Sequence, residues 1–182
     1  MSKDFEGRTS FVTGSAQGIG FAIATILAGR GSNLVLVDRQ VESVQTAAQA
    51  LSSQYGIKVL PLGIDVSKPE EVKVAIERTV EVFGSLDHAV NAAGIPGLKG
   101  VGAVFAEYPE DDWNKVMDVN CNAVFYCTKY EIQEMLKVKK GSIVNIASTA
   151  GLIAYPYQCF TLFSSKADNC RCLHCEQTCS YW

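Results

Sequence analysis

The sequence predicts an α/β protein, a doubly wound parallel sheet with helices on both faces. Three observations predict it. A short β-type run, Thr9–Thr13, opens into the stretch Thr13-Gly14-Ser15-Ala16-Gln17-Gly18-Ile19-Gly20, and a helical pattern follows at once. Strand-like and helix-like runs then alternate to about residue 147, which implies parallel pairing through crossover helices. Asp38 closes the second apolar run, 18 residues beyond Gly20, the separation at which an acidic residue meets a ribose.

Each element has its own warrant. Gly14 permits a sharp exit from the first strand, Gly18 a close approach of backbone to a pyrophosphate, and Gly20 a close seat of helix on strand. The N–H groups that open the helix then face the phosphates, and the helix dipole favours their charge. Ile19, Ala22, Ile23, Ile26 and Leu27 are expected on the buried face of that helix. Leu34–Val37 is the second strand. Val41, Val44, Ala48 and Leu51 mark the next helix, and Val59–Ile64 the third strand. Pro61 cannot donate to a ladder, so the third strand belongs at an edge, which is where the strand order 3-2-1-4-5 places it.

Asp65-Val66 closes the third strand, and Ser67 with Glu70 reads as a capping box. The helix beyond carries Val72, Ala75, Ile76, Val80 and Phe83 on one face and stops at Gly84. Leu86–Val90 is a fourth strand leading into Asn91-Ala92-Ala93-Gly94, followed by a loop rich in glycine and proline. One long helix is expected from about Pro109 to Lys137, with Cys121 and Cys127 as core or near-core thiols. Ser142–Ala147 is a fifth strand, ending at Ser148.

Composition narrows the function classes. The chain has 182 residues, 48% apolar and 19% charged, with a formal net charge of −3. That charge points away from nucleic acid and from anionic membranes. No apolar run approaches the ~18 residues needed to span a bilayer, and Met1–Glu6 shows no leader pattern, so a cytoplasmic protein is expected. No Gly-Lys-Ser/Thr follows the glycine turn, which argues against a P-loop.

These ordered motifs resemble the short-chain dehydrogenases/reductases of classical type, over roughly residues 5 to 158. The motifs are the turn from Thr13 to Gly20, Asp38, Asp65-Val66, Asn91-Ala92-Ala93-Gly94, Asp118-Val119-Asn120 and Ser148. The resemblance implies a Rossmann-type fold and hydride transfer between a nicotinamide cofactor and a small alcohol or ketone. It implies that Gly14, Ser15, Gly18, Ile19 and Gly20 hold the pyrophosphate. Asp38 would bind the adenosine ribose and favour NAD, while Arg39 beside it keeps NADP as the second choice. Asp65 would touch the adenine with Val66 packed near it, and Asn91, Ala92 and Gly94 would lie along the cofactor. Lys129, nine residues past Asn120, corresponds to a basic position near the cofactor; its other reading is a solvated helix lysine. Ser148 would hydrogen-bond the substrate carbonyl, and Asn120 would hold the family lysine through water. Homo-oligomers are usual in the family.

The resemblance fails at one catalytic motif and in the tail. The family's Tyr-x-x-x-Lys pair is absent: Lys166 follows Ser164-Ser165, but Leu162 stands four residues before it. Residues 159–182 form a divergent, cysteine-rich tail, expected to lie outside the family fold, and the family's final strands are expected to be missing. Two alternatives follow: a catalytically dead cofactor-binding protein or truncated product, and a zinc-binding interaction module built on Cys172, His174, Cys175 and Cys179. The crowding of those ligands disfavours zinc, and no metal site is expected. With no outer neighbour for the fifth strand, marginal stability and aggregation are expected.

Overall fold

The computed structural model describes residues 3–97 and 107–148. The tail from 159, Lys166 and most of the loop after Gly97 lie outside these residues.

Five strands form one parallel sheet in the order β3-β2-β1-β4-β5. They are β1 Thr9–Thr13, β2 Asn33–Asp38, β3 Val59–Gly63, β4 His88–Asn91 and β5 Ser142–Asn145. The expected order is therefore observed, with β3 at one edge and Pro61 paired opposite Leu36. Alternation along the strands feeds two cores. Phe11, Val35, Val37 and Ala89 face helices α3 (Pro69–Phe83) and α5 (Ala123–Val138). Val12, Leu34, Leu36 and Val90 face α1 (Gly18–Gly29) and α2 (Val41–Tyr55). Both faces of the central strands β1, β2 and β4 are covered, as a parallel sheet requires, whereas Val144 on β5 is exposed.

Four local expectations need correction. The buried stripe of α1 is Gly20, Ala24 and Ala28, whereas Ile19 and Ile26 are exposed. Small residues take the centre of this face because the helix sits close to the sheet, while Ile23 and Leu27 of the expected stripe pack partly buried beside them. The capping box does not form. Pro69, pre-set for a first helical position, starts α3 one step later and makes Lys68 the N-cap, with no side-chain cap. Glu71 instead reaches back, its Oε2 accepting the Asp65 N–H at 2.9 Å.

The expected single helix from Pro109 is divided. α4 spans Glu110–Met117, one π-helical turn spans Asp118–Asn122, and α5 follows. Such turns insert a residue and free a side chain from the regular ladder. Cys127 is buried as expected, but Cys121, inside the π turn, is exposed.

Candidate functional site

The candidate site lies where the carboxyl ends of β1, β2 and β4 meet the start of α1. In open parallel sheets this crevice is where ligands bind, because the chain leaves neighbouring strands in opposite directions there. The three glycines do different work. Gly14 is left-handed, with φ +66°, and a Cβ on it would stand 2.8 Å from the Ala93 Cα. Gly20 is pressed on the turn itself: a Cβ there would overlap the Gly14 carbonyl oxygen and stand 2.8 Å from its carbon. Gly18 is also left-handed, with φ +61°, yet a Cβ on it would meet nothing within 4 Å. Gly14 and Gly20 therefore shape the turn, and Gly18 leaves open space at the helix start. The N-cap Gln17 gives α1 no side-chain cap, and no acidic residue stands in its first turn. A pyrophosphate suits those donors and that dipole.

The turn is braced from both sides. On one, the Ser15 N–H and hydroxyl both donate to the Val37 carbonyl oxygen, at 3.2 and 3.3 Å, and Ser15 is fully buried. Ser15 thus braces the turn through β2. On the other, Thr13 Oγ1 accepts the N–H groups of Ala92 and Ala93, each at 3.1 Å, tying the exit of β4 to the exit of β1. Asp38 spans the gap. Its Oδ2 accepts the Ala16 N–H and its Oδ1 the Gln40 N–H, both at 3.1 Å. A carboxylate has about four acceptor positions, so both oxygens retain capacity for sugar hydroxyls. Arg39 beside it is exposed.

Asp65 turns its Oδ1 onto the Ser67 N–H at 2.9 Å, while Val66 is buried in the core formed with Val72 and Ile76. Asn91 is buried and faces inward. Its Nδ2 donates to Asn145 Oδ1 at 2.9 Å and to Glu131 Oε2 at 3.1 Å. It therefore joins β4 to β5 and α5. Asn120 clamps the strand that leaves β4: its Oδ1 accepts the Ile95 N–H and its Nδ2 donates to the Ile95 carbonyl, each at 2.9 Å. Gly94 lies between the two clamps. Ser148 is exposed, three residues past β5. Lys129 is exposed on α5, its ammonium 5.2 Å from the centre of the Tyr130 ring.

Sequence reasoning passed over Thr13 as a brace and Glu131 altogether. A cue for Glu131 exists. Ala123, Cys127, Glu131 and Met135 recur at every fourth position, and all four are buried. An acid in the middle of an apolar helical stripe marks a buried polar contact.

A glycine turn at a helix start, with a carboxylate at the end of the neighbouring parallel strand, defines a Rossmann-type nucleotide-binding domain. The chain matches the short chain dehydrogenase family over residues 8–167 and belongs to it. It is 38% identical over 153 residues to a cyclohexanol dehydrogenase of Acinetobacter sp. (strain SE19), covering 84% of this chain and 59% of that protein. It is 38% identical over 149 residues to a 2-(R)-hydroxypropyl-CoM dehydrogenase of Xanthobacter autotrophicus, covering 82% and 59%. Among solved structures, an NAD+-bound xylitol dehydrogenase superposes with a TM-score of 0.80 at 31% identity, over 85% of this chain and 58% of that one. An NADPH-dependent 3-quinuclidinone reductase from Rhodotorula rubra does so with 0.76 at 29%, over 83% and 56%. The chain thus spans about three fifths of the curated relatives it matches (59% of the first).

Proposed function

We propose that this chain binds NAD in the crevice above β1, β2 and β4, and serves an oxidoreductase that exchanges hydride with a small alcohol or ketone. The observation that carries the reading is the pairing of Gly18, open at an uncapped helix start, with Asp38 at the neighbouring strand end. The pyrophosphate would lie on the N–H groups of Gly18, Ile19 and Gly20, and the adenosine ribose on Asp38. Asp38 favours NAD, because a 2′-phosphate would bring a second negative charge against the carboxylate. Asp65 and Val66 would flank the adenine. The nicotinamide supplies the hydride acceptor. Relatives named for cyclohexanol and for 2-(R)-hydroxypropyl-CoM support an alcohol or ketone as the substrate class.

Among the chain's own residues, Ser148 is proposed to orient the substrate oxygen. Asn120 is proposed to hold the wall of the site, through Ile95. No tyrosine in the 182 residues stands four before a lysine, so proton transfer is assigned to none of them.

The test is calorimetric titration of the purified chain with NAD and NADP, beside Asp38→Ala. Saturable binding of NAD, weaker binding of NADP, and about a tenfold loss of NAD affinity in the variant are expected. No heat with either dinucleotide at millimolar concentration would end the reading. A parallel assay with cyclic and short-chain alcohols separates an active oxidoreductase from a protein that only binds cofactor.

A further inference from the structure

Glu131 is fully buried on α5, and no described cation pairs with it. Its Oε2 accepts from Asn91, and Asn91 donates with the same amide nitrogen to Asn145. Two more polar atoms of this pair, Asn91 Oδ1 and Glu131 Oε1, are buried without a hydrogen-bond partner, as is Thr128 Oγ1 three residues earlier on α5. Buried polar groups left unpaired are rare and destabilising, so their concentration on one helix–strand contact calls for a function. The position supplies it. Asn91 ends β4 and opens the segment Ala92–Gly94, and Asn145 ends β5, three residues before Ser148.

We propose that Glu131 is a positioning residue of the nucleotide site: its carboxyl fixes Asn91 and, through it, Asn145, holding the cofactor-facing ends of β4 and β5 against α5. The inference builds on the site proposed above. The carboxyl does this as the uncharged acid. Burial pushes its pKa up to about 8, and the hydrogen bond from Asn91 offsets only part of that rise. The neighbouring elements offer an ionised carboxylate no compensation. On α3 the face turned inward is Val72, Ala75, Ile76 and Thr79, while Glu70, Glu71, Lys73, Glu77, Arg78 and Glu81 are exposed. β4 contributes only His88, at its far end and bonded to Ser142, and β5 contributes no ionisable group. On α5 itself, Cys127 is buried, Tyr126 and Tyr130 are half-buried, Lys129 is exposed, and Glu134 pairs with Lys137. The proton also supplies a donor to a pair in which Asn91 Oδ1 lacks a partner.

The experiment follows NADH affinity by fluorescence titration from about pH 6 to about pH 10, for the unsubstituted chain, Glu131→Gln and Glu131→Leu, with melting curves alongside. Unsubstituted protein is expected to lose about tenfold in affinity as pH passes through the titration of Glu131. Glu131→Gln keeps the acceptor and should hold its low-pH affinity across the whole range. Glu131→Leu should bind about tenfold more weakly at every pH, while still melting cooperatively. A Glu131→Gln profile that tracks the unsubstituted one, or full affinity in Glu131→Leu, overturns the positioning role alone. Absence of NADH binding by the unsubstituted chain at every pH removes the site itself, a distinct result.

Discussion

Replacing each turn glycine by alanine in turn should separate those that build the turn from the one that leaves room for a ligand. Gly14→Ala meets two penalties. A left-handed φ of +66° costs a residue with a Cβ about 1–2 kcal/mol, and overlap with Ala93 backbone adds a similar amount. The sum is roughly 3 kcal/mol. Gly20→Ala has no positive φ, and alanine is the better helix former by about 1 kcal/mol. Its Cβ nevertheless overlaps the Gly14 carbonyl, which must shift, so a net loss of about 2 kcal/mol is expected. Gly18→Ala pays only for its φ of +61°, about 1 kcal/mol, because nothing stands within 4 Å of the added methyl. For a domain of this size those losses translate to melting shifts of about 9, 6 and 3 °C. Dinucleotide affinity should follow a different order. Gly18→Ala fills the open space and should weaken NAD binding by at least about tenfold despite its near-native melting. Differential scanning fluorimetry with calorimetric titration reads both quantities. If Gly18→Ala melts as low as Gly14→Ala, or binds NAD unchanged, the division of labour drawn from the turn's geometry is wrong.

Two further expectations concern the walls of the site. Asn120→Ala removes both bonds to Ile95 and should cost about 1–3 kcal/mol, with faster amide exchange at Ile95 than at β1; unchanged exchange there would show that the clamp holds nothing. Buried Glu131 and half-buried His88 should also shape stability against pH. Glu131 has a raised pKa in the folded chain, so the native state holds a proton the unfolded state has lost, and stability falls between about pH 4.5 and about pH 8. The fall is roughly 4–5 kcal/mol for a fully buried carboxyl, and Glu131→Gln should abolish it. His88 works in the opposite sense: burial lowers its pKa, so stability is lost as pH drops below 6.5. Urea melts across this range that show no Glu131-dependent slope would place a carboxylate, not an acid, beside Asn91.

The edge strand and the nucleotide side of the sheet could be read from local chemistry, and the full strand order followed from the doubly wound pattern of alternating strands and helices. A proline that cannot donate marks the edge strand, glycines mark the turn, and an aspartate at a strand end marks the ribose side. Each is a property of one residue and its immediate backbone, so no distant contact was needed to see it. Which face of α1 is buried could not be read that way. Ile19 and Ile26 fit an apolar stripe, but the helix sits so close to the sheet, with Gly20 against the Gly14 carbonyl, that its fully buried positions are Gly20, Ala24 and Ala28, and larger residues such as Ile23 and Leu27 pack at the flank. The break in the long helix was hidden for the same reason, since Asn120 meets Ile95 only when β4 and α4 are folded together. Glu131 is the sharpest case. Its ionisation depends on the burial created by α3, β4 and β5, a property of the packed assembly and not of any stretch of chain.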